Sequence, residues 1–276
     1  MRRVPASIFR RGRLHVCVQE WSDSNVKLTV VGASPSYPNP GSPSSGYLVE
    51  EGSSLLLVDC GHGVAGKVMG LVPLAGISSI LISHMHPDHY FDLVPLTYAY
   101  KSQSLPPIPL WLPPEGRSLL SRLQDVVGLP PAFFAEMFDV NEYDPEGSLS
   151  CGDIGIRFAA TRHFVPGFAM RFEISGSTNR SLLFSSDTSW TEPVVRLAHR
   201  ASVGLVEAAL ESGASQDDRQ GHMTPREAAG LARQAEVCRL LITHYPRESS
   251  EALLAEARSV FGGNVALAEE GKVYEI

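Results

Sequence analysis

The sequence predicts an α/β protein. Short apolar runs rich in β-branched residues, such as VKLTVV at 26–31 and ISSILIS at 77–83, have the length and composition of buried strands. Helix-length stretches lie between such runs, and Gly, Pro, Asn and Ser gather at the joints. The alternation fills both halves of the chain, and no linker is long enough to separate a pair of domains. One domain over 27–276 is therefore expected, preceded by a basic N-terminal extension at 1–26.

In order, a first strand at 26–31 leads into a loop of Gly, Ser, Pro and Asn at 32–45. Strands at 46–50 and 54–58 form a hairpin about Glu51-Gly52, ended by Asp59-Cys60-Gly61. A short helix at 64–71 precedes the strand at 77–83, which runs into His84. A helix at 88–100, a strand at 108–112 and a helical stretch at 115–139, broken at Pro130-Pro131, complete the first half. The second half reads as strands at 154–160, 167–174, 181–186, 202–206 and 239–243, with helices at 191–200, 224–235 and 248–260. Closing strands are expected near 264–268 and 272–275.

The chain has 276 residues, of which 43% are hydrophobic and 19% charged, an ordinary globular composition that excludes disordered and collagen-like classes. No apolar run reaches the roughly 18 residues of a membrane span. The formal charge of −7 argues against a broad basic face for nucleic acid but allows a local cluster for a small phosphate. Cys17, Cys60, Cys151 and Cys238 show no CxxC spacing, so reduced thiols in a cytoplasm are expected. Residues 1–26 carry five arginines against Glu20 and Asp23 and lack the apolar core of a secretory signal. An organellar transit peptide also fits that charge, but serines are few, and a plain basic extension is favoured.

The segment with the most chemistry is Ser83-His84-Met85-His86-Pro87-Asp88-His89, an HxHxDH pattern just after an apolar strand. A rigid strand end can hold a loop whose side chains converge. His84 and His86, two apart, can face one ion, while Asp88 and His89 turn toward a neighbouring one. His163, Asp187 and His244 also follow apolar strands. Any one of them alone is more often structural. As a set, with His222, they place six of the nine histidines at such positions.

With these residues the chain resembles the metallo-β-lactamase superfamily over almost all of 27–276, and within it the ribonuclease Z and phosphodiesterase branch. The carrying motifs are SSGYLVE (44–50), LLLVDCG (55–61), SHMHPDH (83–89), SSDT (185–188), VEAA (206–209), GHMTPREA (221–228) and LITHYPR (241–247). The resemblance implies a four-layer αββα sandwich of two mixed sheets flanked by helices, with a dinuclear site at one edge. It also implies one metal on His84, His86 and His163, a second on Asp88, His89 and His244, and Asp187 bridging both. Imidazole and carboxylate without thiolate suit zinc and tolerate manganese or iron. The zinc β-lactamases place a cysteine where this chain has Asp187, so penicillin-like substrates are not expected.

Two divalent ions lower the pKa of a bridging water to about 7, and the resulting hydroxide can attack phosphorus in line. Asp88 is expected to orient that hydroxide as well as bind metal. His222, just before a helix with Thr224 as N-cap and Glu227 at capping-box spacing, is the candidate proton donor to the leaving alkoxide; the alternative is that it only decorates the helix start. Glu207, at a strand end, could orient His222 and raise its pKa, or stand unpaired. Asp59 is implied to anchor the metal loop. Arg162 and Arg247 adjoin ligands and either contact phosphate or face solvent, while His62 and His199 are expected at the surface and Cys60 in the core.

Only 23 residues separate His163 from Asp187, leaving no room for the long arm with which ribonuclease Z proteins grip tRNA. The expected activity is a small-molecule phosphodiesterase, with 3′,5′-cyclic nucleotides favoured over 2′,3′-cyclic phosphates. A tRNA 3′-end endonuclease and a thioester or lactone hydrolase are the alternatives. A non-enzymatic binding module is disfavoured, because structural zinc sites are closed and rich in cysteine. Relatives of this kind are often homodimers, though no interface shows in the pattern.

Overall fold

The computed structural model describes residues 26–174, 180–215 and 217–276. The basic extension therefore lies outside the described residues except for Val26. The strands are β1 Lys27–Gly32, β2 Gly46–Glu51, β3 Ser54–Val58, β4 Ser79–Leu81, β5 Ile108–Leu112, β6 Phe138–Glu142, β7 Ser148–Cys151, β8 Ile154–Ala160, β9 Phe168–Ile174, β10 Ser181–Phe184, β11 Val203–Glu207, β12 Arg239–Thr243, β13 Asn264–Leu267 and β14 Val273–Glu275. The helices are α1 Val64–Leu71, α2 Pro87–Tyr90, α3 Leu93–Ser102, α4 Gly116–Val127, α5 Glu192–Ala198, α6 Pro225–Gln234 and α7 Ser250–Phe261.

They build two seven-stranded mixed sheets, ordered β14-β1-β2-β3-β4-β5-β6 and β13-β12-β11-β10-β9-β8-β7. Each has an antiparallel flank and a parallel flank, the latter running from β3 to β6 in one sheet and from β10 to β13 in the other. Period-2 alternation turns one face of each strand to the partner sheet and the other to helices. Leu56 and Val58 join the core shared with Ile156, Met170 and Phe172 of the second sheet. Leu57 between them packs outward with Val64, Leu93 and Leu96 of the first sheet's helices. Helices α5 to α7 cover the second sheet through Val194, Leu231 and Leu253. The result is the expected αββα sandwich. Tyr47 links its inner faces, with a hydroxyl–hydroxyl hydrogen bond to Thr243 at 2.6 Å and its ring 5.1 Å from Phe184.

Four local expectations need correction. The helix expected at 88–100 is two helices, because the Asp92 N–H is diverted to the Cys60 carbonyl and the Asp92 carboxylate accepts the Ala65 N–H at the start of α1. The helical stretch at 115–139 ends at left-handed Gly128, and its last residues start strand β6. Strand β7 was also not expected. Both strands lie at sheet edges, each with a single strand partner, where polar residues such as Asp139 and Ser150 blunt the apolar pattern. Finally, Cys60 and Cys151 are free and buried, but Cys238 is disulfide-bonded, so the all-reduced expectation fails there. Among the described residues no helix is long and apolar enough to cross a membrane.

Candidate metal centre

The parallel strands set the site. In open parallel sheets, the loops beyond the carboxyl ends of the strands are where ligands gather. Here Asp59 follows β3, the 83–89 loop follows β4, Asp187 follows β10, Glu207 ends β11 and His244 follows β12. His163 arrives from the end of β8, and His222 from the loop before α6. Asp59, Ser186 and His244 turn sharply off their strands with φ of 58°, 53° and 52°. Non-glycine residues held in this region carry about 1–3 kcal/mol of strain, which the surrounding packing must hold.

Two ligand groups follow the expected division, and a third, His163, Asp187 and His222, overlaps both. The potential ligand atoms of His84, His86 and His163 lie within 4.8 Å of one another, as do those of Asp88, His89, Asp187 and His244. His84 Nε2 and His163 Nε2 stand 3.2 and 2.9 Å from His86 Nδ1. The outer ring atoms fix which nitrogens face inward. His163 Nδ1–H donates to the Gly221 carbonyl at 2.7 Å, and His89 Nδ1–H donates to Asp59 Oδ2 at 2.7 Å. The Ser83 hydroxyl donates to Asp59, so His84 Nδ1–H donates to the Ser83 and Ser186 hydroxyls, at 3.2 and 3.3 Å. The Nε2 lone pairs of His84, His89 and His163 therefore all point into the cluster. Asp187 Oδ2 sits 3.4 Å from His89 Nε2, 3.2 Å from His244 Nε2 and 3.8 Å from His84 Nε2, within reach of both groups.

The charge balance suits bound cations. Burial drives His84 well below the ordinary imidazole value and His163 down to about 4, keeping both neutral. Burial opposes protonation of His89 too, but the carboxylates of Asp187, Asp59 and Asp88 push it well up. Burial also resists ionisation of Asp88, yet His89 and His244 hold it down at about 2. The residues fit the ions the resemblance implies. Asp88 Oδ2, His89 Nε2 and both ring nitrogens of His244 are buried without a hydrogen-bond partner, a costly arrangement for polar atoms unless a cation takes their lone pairs. The donor set is nitrogen and oxygen throughout.

Residues 55–245 match the family described as a beta-lactamase superfamily domain. The chain belongs to the metallo-β-lactamase superfamily. Its relatives include the Bacillus subtilis (strain 168) protein named "Probable metallo-hydrolase YhfI", 31% identical over 252 residues that cover 91% of this chain and all of that one. The crystal structure of YhfI superposes with a TM-score of 0.80, covering 91% of this chain and 99% of that one. Ribonuclease Z of Mycolicibacterium paratuberculosis is 29% identical over 272 residues, 89% of this chain and 96% of the relative. The short form of human tRNase Z shares the fold, with a TM-score of 0.73 at 22% identity over 91% of this chain and 99% of that one. This member of the superfamily is a metal-dependent hydrolase with a His/Asp cluster able to bind metal ions.

All seven ligand candidates meet in the two ligand groups. His222 and Glu207 meet beside them: His222 Nδ1–H donates to Glu207 Oε1 at 2.9 Å and lies 4.0 Å from Asp187 Oδ2. The Glu207 carboxylate is itself fixed by the Thr188 and Ala209 N–H groups. Thr224 and Glu227 form the expected capping box. Asp59 accepts from Ser83 N–H, Ser83 Oγ, Ser45 Oγ and His89, the geometry of an anchor for the metal loop. His62 is exposed in a separate cavity of about 480 Å³, His199 is exposed at the end of α5, and Arg247 is tied to Ser42 and Asn39. Sequence reasoning missed the supporting roles of Ser45, Ser83, Ser186 and the Gly221 carbonyl. The first three neighbour motif residues, which is a usable signal. A backbone carbonyl leaves none.

Proposed function

We propose that this metal-dependent hydrolase is a phosphodiesterase acting on small cyclic nucleotides. The observation that carries the reading is the pair formed by half-buried His222 and buried Glu207 at the edge of the ligand cluster. Burial alone would lower the His222 value, but the charge and hydrogen bond of Glu207, helped by Asp187 and Asp88, raise it to about 9. At neutral pH His222 thus carries two protons. Glu207 holds the one on Nδ1, and Nε2–H serves as the donor that a departing alkoxide needs. A thioester releases a thiolate that leaves with little help, so such a donor favours phosphodiester chemistry.

Two divalent cations bound at the cluster, with zinc the first choice, supply water activation and neutralise charge on a phosphate oxygen. Asp88, ionised and aimed into the cluster, accepts a proton-bearing partner and so orients the attacking oxygen toward phosphorus. Asp187 joins the two ligand groups and fixes their spacing. Only 23 residues separate His163 from Asp187, and strands β9 and β10 take 11 of them, which supports a small substrate over a long RNA. A tRNA 3′-end endonuclease is the second reading, favoured by the end-to-end similarity to a ribonuclease Z.

The test is hydrolysis of 3′,5′-cyclic AMP by zinc- or manganese-loaded protein beside Asp187→Ala, with 2′,3′-cyclic phosphates, precursor tRNA and a thioester in parallel. Turnover of the cyclic nucleotide that disappears in the variant supports the proposal. Cleavage of the tRNA precursor alone would replace it with the second reading, and cleavage of the thioester alone would overturn both.

A further inference from the structure

Phe164 is a large apolar side chain left 62% exposed immediately beside a ligand histidine. It is nonetheless held in place. Its ring centroid lies 5.3 Å from that of His163 and 6.1 Å from that of His222, and these two rings are 4.8 Å apart. On one side the ring lies against Gly221, so closely that a Cβ there would overlap three of its carbons. The residue at 221 is a glycine without a positive φ, so a side chain there would meet no backbone strain but would push the ring aside. Arg162, two residues before Phe164, and Gln220, next to Gly221, line a cavity of about 500 Å³ together with Asp217 and Arg219. Exposed Trp190 follows Ser189, whose N–H donates to the Arg162 carbonyl.

An aromatic ring fixed on one side and open on the other, one residue from a ligand of the phosphate-binding centre, is a stacking surface. Every nucleobase offers a π-face to such a ring, whereas the sugar and phosphate do not. The polar lining of the adjoining cavity matches the donors and acceptors on a base edge. We propose that Phe164 is the platform on which the nucleobase of the substrate stacks, making it the residue that selects nucleotides over other small phosphodiesters. This rests on the phosphodiesterase reading above and extends it to the base.

The test separates the two. Metal-loaded wild type, Phe164→Ala and Phe164→Trp are compared on 3′,5′-cyclic AMP and on ribose 3′,5′-cyclic phosphate, which lacks a base. Binding of AMP and of ribose 5-phosphate to the same proteins is measured by calorimetry. Phe164→Ala should raise KM for cyclic AMP about 10-fold or more with kcat little changed, leave the base-free substrate unaffected, and erase a preference for AMP over ribose 5-phosphate. Phe164→Trp should restore all three. Equal losses on both substrates would mean that Phe164 only supports Gly221 and His163, and the proposal would fall. It would fall equally if wild type bound AMP no better than ribose 5-phosphate. Preference for AMP in a wild type that hydrolyses no cyclic nucleotide would uphold the platform and sink the assignment of cyclic nucleotides as substrates.

Discussion

Replacing Glu207 with glutamine removes one negative charge while keeping the side chain's shape. Glu207 Oε1 is 2.9 Å from His222 Nδ1, and the carboxylate is buried, so its charge is little screened. Without it, burial is left to act on His222 with weaker opposition, and its value falls from about 9 to the ordinary 6.5 or below. That difference corresponds to about 3 kcal/mol. At pH 8 the doubly protonated share of His222 drops from about nine in ten to about one in thirty, so acid-dependent turnover should fall about 30-fold. Bound cations would lower both values together and enlarge the fall at pH 8, with the two alkaline limbs still separated.

The assay is a pH–rate profile of wild type and Glu207→Gln, with metal content measured alongside. The alkaline limb should move to lower pH with the metal retained. Linkage gives a second readout in the chelated protein. A raised imidazole value contributes stability that is fully present below pH 6.5 and lost as pH rises through about 9, and this loss should vanish in the variant. An alkaline limb at the same pH in both proteins would refute the acid role of His222.

Three further substitutions probe the frame. Asp187→Ala should bring metal content below two ions per chain and reduce turnover by about 100-fold or more, measured by elemental analysis and kinetics. Asp59→Ala orphans the Ser83 N–H and leaves His89 unoriented; it should cost about 3–5 kcal/mol and lower Tm by about 10 °C in calorimetry. Gly61→Ala has an ordinary φ, but its Cβ would overlap the Asp88 carbonyl oxygen. The 83–89 loop must then shift, so metal affinity should fall in a titration while secondary structure by circular dichroism is kept.

Much of this site was legible because its residues sit where strands end. A strand such as 239–243 announces itself by an apolar run, and the residue just beyond it, His244, is then placed without knowledge of the fold. Glu207 and His222 were read separately from a strand end and a helix start. Their meeting at 2.9 Å needed the parallel pairing of β10, β11 and β12, which no local pattern reports. Phe164 carried no signal, since its exposure and its contact with Gly221 are tertiary facts. Edge strands β6 and β7 failed for a related reason: a strand with one partner buries too little to need an apolar run. The break at Phe91-Asp92 failed because the Asp92 carboxylate answers a donor in another helix.

The ligands are divided between the two halves of the sandwich. His84 and His86 come from the first sheet and His163 from the second; Asp88 and His89 come from the first, Asp187 and His244 from the second. A cation held by either group would therefore touch both halves at once, and binding it would clasp the seam. A ligand that binds only the folded chain stabilises it by about 4 kcal/mol when present at a thousand times its Kd. The mechanical integrity of the molecule would thus follow the supply of free metal. Starvation for the ion would weaken the seam while it silenced the chemistry, and the chain would become a substrate for proteolysis under the same conditions in which it had stopped working.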